Sequence, residues 1–442
     1  MEKRSYLKEF TNYTFLSVLG TLGVSCYILA DTFFISKGLG ANGLTALNLA
    51  IPVYNFIYGT GLMLGMGAAT RFSVCISQGR QDEINRLYSN TIFISLIFSV
   101  IYMLLGVFFS KDIASLLGAD TSVLELTNTY LYWLMLFAPA FILNNVFLCF
   151  VRNDGSPHLA MAAMLIGSFS NIILDYVFIF PMNMGIFGAI FATGLSPIIS
   201  ILIMLPHWIK KKNTFHFIWT SLRFYIFKQD VALGFPSLVS QVSGGIVMIV
   251  FNMIILGLAG NTGVAAYGVV ANISLVIIAI YTGIGQGIQP LISTFYGKGE
   301  KYMARKMLNY AMITMLILSF VIYTCIYLFA DPITSVFNSE NNMALQEIAV
   351  TGLKIYFIAS PFIGYNIILS TFFTSIERAI PAYVLSLLRG FILIIPFAFL
   401  LSALWSMTGV WMTYPVAEFL TTVIGVILYE RIKRKEIVHL EI

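Results

Sequence analysis

Between Val231 and Gly297 the chain carries no Asp, Glu, Lys or Arg. As one helix this run would be about 100 Å long at ~1.5 Å per residue, and a bilayer core is only roughly 30 Å thick, so the run must fold back on itself. Ala259-Gly260-Asn261-Thr262-Gly263 supplies turn chemistry near its middle. Other uncharged runs are also long enough to cross: Phe10–Ala30, Gly38–Thr70, Leu87–Ser110, Leu126–Val151, Gly155–Leu174, Tyr176–Ile209, Met307–Ala330, Ile355–Ile376 and Gly390–Ala417. Composition agrees. Of 442 residues, 59% are hydrophobic and 10% charged, against roughly 45–50% and about 25% in soluble domains. So few charges cannot clothe a soluble surface, which excludes a soluble enzyme, a nucleic-acid binder and a disordered chain.

Allowing Asp31, Asp175, Arg389 and Glu418 inside spans, the sequence predicts twelve transmembrane helices near 12–36, 44–69, 88–109, 127–150, 158–181, 185–209, 235–258, 264–289, 307–330, 351–373, 380–402 and 408–429. Continuous apolar runs favour helices over a barrel, whose strands alternate over about ten residues. With the N-terminus inside, only Lys37, Lys111 and Lys354 fall on outer edges and Arg389 within a span; the remaining Lys and Arg of the 25 face inward. By the positive-inside rule both termini are expected in the cytoplasm of a multi-pass inner or plasma membrane protein. The net charge of +5 is therefore a topology signal and not a nucleic-acid footprint. Four cysteines without CxxC spacing imply neither a metal site nor a disulfide.

The chain repeats itself at an offset near 220. Gly40-Ala41-Asn42-Gly43 returns as Gly260-Asn261-Thr262-Gly263, and Gly65-Met66-Gly67 with Gln78-Gly79-Arg80 returns as Gly283-Ile284-Gly285 with Tyr296-Gly297-Lys298. Pro139 aligns with Pro361 and Pro157 with Pro381. The expected organisation is an N-terminal six-helix lobe (1–209), a basic, aromatic linker (210–234) read as an amphipathic interfacial stretch, and a C-terminal six-helix lobe (235–442). Six is even, so both halves enter from the same side. The fold class is therefore all-α integral membrane, two six-helix bundles related by a pseudo-twofold axis along the membrane normal, an arrangement suited to alternating access.

Charges at membrane depth are costly and functional by default. Asp31 maps to about Phe251 in the second half, and Asp175 to about Phe397–Phe399. The acids are thus not packing features that the repeat demands twice. Asn171 and Asp175, spaced i, i+4, share a helix face. Two carboxylates with an amide oxygen and a hydroxyl would suit a small cation, and two close carboxylates could equally carry a proton. Arg389 and Glu418 read best as a structural pair. Tyr130, Asn144 and Asn145 are further polar candidates for the cavity or the frame.

The chain resembles multidrug and toxic compound extrusion (MATE) transporters, particularly the DinF-like bacterial branch. The resemblance rests on Asp31-Thr32-Phe33-Phe34-Ile35-Ser36 before Gly38-Leu39-Gly40, the Gly-rich second helix before Gln78-Gly79, Asn171-Ile172-Ile173-Leu174-Asp175, and Ala192-Thr193. It implies a transporter, not an enzyme, that exports cationic amphipathic organic compounds in exchange for Na⁺ or H⁺, with no other cofactor. It also implies that Asp31, Asn171, Asp175 and Thr193 form the cation site, holding Na⁺ if sodium is the coupling ion. Leu16 stands where many relatives carry a proline, although its repeat partner Pro236 is present. Gly20 and Gly23 are then the flexible points expected in the first helix.

The expected partners are small organic cations and the bilayer, with the chain acting as a monomer. A flippase for lipid-linked oligosaccharides is the alternative from the same superfamily, but it would line its cavity with several basic residues, and only Arg389 is intramembrane here. A membrane-embedded enzyme would need clustered histidines or acids, and neither appears.

Overall fold

The computed structural model describes residues 2–338 and 341–438. The helical run Glu2–Ser77 breaks at Gly40 into α1 (2–39) and α2 (41–77). Then follow α3 (Gln81–Leu116), α4 (Leu124–Leu136 and Ala138–Asn153, bent by 47°), α5 (Pro157–Ile179) and α6 (Gly185–Met204). The run Phe224–Gly297 breaks at Gly260 into α7 (224–259) and α8 (261–297). Next come α9 (Lys301–Phe337) and α10, which joins Met343–Tyr356 to Ser360–Ser375 through a 3₁₀ turn. Last are α11 (379–404), carrying a π turn at Leu388–Ile392, and α12 (407–438), separated by the non-helical Trp405 and Ser406.

The internal repeat is visible in the backbone itself. Gly40 (φ 69, ψ −159) and Gly260 (φ 62, ψ −159) adopt the same conformation, one that is open essentially to glycine alone. The expected turn at 259–263 is thus a one-residue break between continuous helices. Gly20 and Gly23 also differ from expectation. A Cβ at Gly20 would meet Met164 Sδ at 2.8 Å, and one at Gly23 would meet Leu165 Cδ2 at 2.7 Å. They are notches that let α1 lie close to α5, within a run whose one non-helical residue is Gly40.

Two apolar cores form, one per half, and each half lends its first turns to the other. Phe10, with Tyr6 and Tyr13, packs into the C-terminal core, whereas Ile226, with Phe227, Val231, Phe235 and Leu238, packs into the N-terminal one. The lobes therefore meet at the end where α1 begins. There the α2 and α7 backbones touch so closely that a Cβ on Gly67 would stand 1.9 Å from the Asp230 carbonyl oxygen. The Thr21 hydroxyl donates across the seam to the Ala279 carbonyl (2.8 Å). Beneath it, Gln289, fully buried on α8, donates to Thr70 Oγ1 (3.2 Å) and accepts from the Asn153 amide (2.9 Å). Further along α7 and α8, a Cβ on Gly244, Gly257 or Gly268 would meet no protein atom within 4 Å. The molecule is closed at the face rich in basic residues, where the two lobes touch.

The segment after Ile209 runs without regular structure to α7 and is strapped to the N-terminal half. Backbone N–H groups of His216, Ile218 and Arg223 donate to Asn85 Oδ1, Ser89 Oγ and Asn90 Oδ1 on α3, each at 2.8 Å. Phe215 is fully buried, ringed by Phe72, Tyr88, Phe150 and Trp208. A buried aromatic anchor and a row of backbone hydrogen bonds together hold the strap. Helical structure resumes at Phe224, inside the stretch expected to be linker.

Candidate functional site

The residues singled out from sequence converge in the N-terminal half. Asp31 comes from α1, Asn171 and Asp175 from α5, and Thr193 from α6, and all four are buried. The Asp31 and Asp175 carboxyl groups lie within hydrogen-bonding reach of one another. The i, i+4 spacing brings Asn171 beside Asp175: with its amide turned to satisfy both ends, Asn171 would donate to Asp175 Oδ2 (3.0 Å) and accept from the Thr193 backbone N–H (3.2 Å). The Thr193 hydroxyl donates to the Ala189 carbonyl (3.0 Å), and Tyr130 is buried in the same lobe. Asp31 Oδ1 and Asp175 Oδ1 have no protein partner. Two buried anionic oxygens in contact repel strongly at low dielectric unless a proton or cation lies with them.

The remaining polar candidates separate by role. Asn145 donates to the Tyr58 carbonyl (3.2 Å) and ties α4 to α2. Asn144, one residue earlier, is half-buried with its Oδ1 unpartnered. Arg389 and Glu418 lie in the other half as a closed pair: Nε and Nη2 donate to Glu418 Oε1 at 3.1 and 2.9 Å, and Asn366 donates to Oε2 at 2.7 Å. Arg389 stands on the π turn of α11.

Several groups stood outside the sequence reading. Tyr27 precedes Asp31 by one turn, and its hydroxyl lies 2.6 Å from that of Tyr54, whose ring stacks on Tyr58 at 5.7 Å. The 27/31 and 54/58 spacings, both i, i+4, were the available signal. Asp230, fully buried at the seam, accepts from Thr91 Oγ1 (3.0 Å), while its neighbour Gln229 pairs with Arg71. His207 Nε2 lies 2.8 Å from Asp154 Oδ2, which also accepts from the Thr214 N–H of the strap (2.9 Å). These pairings join residues far apart in sequence, with no spacing to announce them.

Twelve apolar helices in two lobes, one of them holding two buried acids without a basic partner among the described residues, fit a membrane transporter, and the comparisons with known proteins say which kind. The MatE family profile matches residues 17–177 and 236–400, well over half of the chain and once in each half. The chain belongs to the MatE family of transporters. Among curated relatives, the multidrug export protein MepA of Staphylococcus saprophyticus is 25% identical over 424 residues, covering 94% of this chain and 92% of that protein. MepA of Staphylococcus aureus (MRSA252) is 24% identical over 434 residues, covering 97% and 94%. Among solved structures, a MOP superfamily transporter from Pyrococcus furiosus superposes with a TM-score of 0.89 at 24% identity, covering 96% and 95% of the two chains. A Vibrio cholerae MATE transporter superposes with 0.90 at 22% identity, covering 98% of each.

Proposed function

We propose that this protein is a multidrug exporter that moves cationic amphipathic organic compounds out of the cell in exchange for Na⁺ or H⁺. The observation that carries the coupling is the pair of touching, buried carboxyl groups, Asp31 and Asp175, whose outer oxygens have no protein partner. With Asn171, Thr193 and Tyr130 around them they offer hard oxygen ligands that suit a small cation, and the same oxygens suit a shared proton. The coupling ion is thus a transported substrate, and no cofactor beyond it is invoked.

The cycle follows from the seam. With the basic face cytoplasmic, the described conformation is closed to the inside. A cation entering the cleft neutralises the acid pair and favours release of the exported compound. The lobes then part along the α1–α8 and α2–α7 contacts, and a new substrate displaces the ion from the inside. One-for-one exchange against a monovalent cation moves no net charge and is driven by the ion's concentration gradient; each further unit charge moving down 100 mV would add about 2.3 kcal/mol. The chain works as a monomer, since each lobe supplies one wall of the cleft.

Efflux of a cationic dye from proteoliposomes, with Na⁺ and pH gradients imposed separately, tests this directly. Response to one gradient alone names the ion. Normal gradient-driven efflux by well-folded Asp31→Asn and Asp175→Asn variants would overturn the coupling site.

A further inference from the structure

The N-terminal lobe also buries a cation that the coupling site does not use. Arg152 lies in the last turn of α4 with 3% of its surface exposed. A basic residue that merely marks the cytoplasmic face would keep its head in water. Instead Nη1 has no hydrogen-bond partner, and Nη2 reaches only Met164 Sδ, at 3.8 Å. Asp154, two residues on, is engaged by His207 and by Thr214 of the strap. Among the described residues no carboxylate pairs with Arg152. An uncompensated buried charge is among the most destabilising features a fold can carry, and a buried polar group left unsaturated favours any partner that completes it.

Its surroundings show where it faces. Met164 is the residue that presses on Gly20 of α1, and Tyr58 of α2 lies against α4, its carbonyl accepting from Asn145 at 3.2 Å. The charge therefore sits among α1, α2, α4 and α5. From Tyr58 the tyrosine file runs through Tyr54, both half-buried, to the buried Tyr27, one turn from Asp31. Along α5, Met164 and Asp175 are separated by about 16 Å at roughly 1.5 Å per residue. The lobe interior thus has a guanidinium at one end, a carboxyl pair at the other and aromatic faces between them. Asn144 Oδ1, unpartnered and two turns from Arg152 on the same side of α4, adds a polar acceptor along the way.

We infer that Arg152 recognises the carboxylate of zwitterionic amphipathic substrates, whose aromatic body lies along Tyr58 and Tyr54 with its cationic end toward Asp31 and Asp175. The planar guanidinium fork matches a carboxylate with two parallel hydrogen bonds. A purely cationic ligand gains nothing from it. The inference rests on the transport reading for its substrate class.

The test uses purified full-length protein and a matched pair of probes, rhodamine B, which carries a free carboxylate, and its ethyl ester, which does not. Dissociation constants are read by fluorescence polarisation. Arg152→Gln is expected to weaken rhodamine B by at least roughly tenfold and the ester by less than about twofold, because the lost contact is charge-assisted and buried. Arg152→Lys, which keeps the charge but not the fork, is expected to fall between. Equal weakening of both dyes, or no change in either, overturns the inference. So does an Arg152→Gln variant that loses co-purified anionic lipid while both dye constants stay put. Dye selectivity that depends on Arg152 without gradient-driven efflux would strike the transport reading and leave this one standing; efflux without selectivity would do the reverse.

Discussion

The two lobes descend from one repeated pattern and bury charge in opposite ways. In the N-terminal lobe Asp31 and Asp175 touch with an oxygen each unpartnered. At the position matching Asp31, the C-terminal lobe has Phe251, fully buried and stacked on Tyr267 at 5.5 Å, with Tyr414 at 5.8 Å. Its own charges, Arg389 and Glu418, are matched to each other and to Asn366. Its central Tyr281 hydroxyl is likewise held by Ser319 and Ser360, at 2.6 and 2.5 Å. A saturated polar group has nothing left to offer a ligand, whereas an unsaturated one buried in low dielectric favours any partner that completes it. One lobe is built as a frame and the other as a site.

That contrast can be broken in order of effect. Asp175→Asn, and likewise Asp31→Asn, should abolish gradient-driven export while purified protein still unfolds at a temperature close to that of the wild type; intact export would erase the distinction between the lobes. In the C-terminal lobe Glu418→Gln leaves the Arg389 charge buried without a counter-ion, and should cost about 3–5 kcal/mol of stability, read as a drop in thermal unfolding temperature in detergent. Replacing the pair together, Arg389→Met with Glu418→Leu, should restore most of that stability and retain export, since a buried ion pair often exchanges for apolar packing at little cost. Loss of export by a stable double variant would make the C-terminal pair part of the site. Phe251→Leu, a smaller change within the aromatic stack, should lower stability by about 1 kcal/mol with little change in transport rate.

A second comparison, between the seam and the rest of α7 and α8, explains how a single state can be read from helix contacts. At the basic face the α2 and α7 backbones touch at Gly67 and Asp230, while a Cβ on Gly257 or Gly268 would meet no protein atom within 4 Å. Gly67→Val should wedge the closed end apart. Distances between spin labels across the basic face should then shift to longer values, and an unchanged distribution would show that the seam does not set the conformation.

Much of this was legible in the residues because lipid enforces simple rules. Spans had to be apolar and about twenty residues long, basic residues had to stay on one face, and a charge inside the membrane had to have a purpose. The i, i+4 spacing of Asn171 and Asp175 announced a shared face, and the two side chains lie side by side. Arg152 was hidden for the same reason the topology was clear: among so many basic residues at that face, nothing in the local sequence distinguishes one that is buried. The linker was legible as a basic, aromatic interfacial stretch, but its partners were not, because only the acceptors on α3 decide where its backbone N–H groups bond.

The sequence by itself determined the membrane class, the number of spans, the twofold repeat and the lobe that carries the acids, since each depends on composition or on spacing within one helix. Only the tertiary structure decided that Asp31 meets Asp175, that Arg389 is answered by Glu418 while Arg152 is answered by nothing, and which face of the cleft is shut. Those outcomes depend on how helices distant in sequence are brought side by side, and on which buried polar atoms still lack a partner once they are.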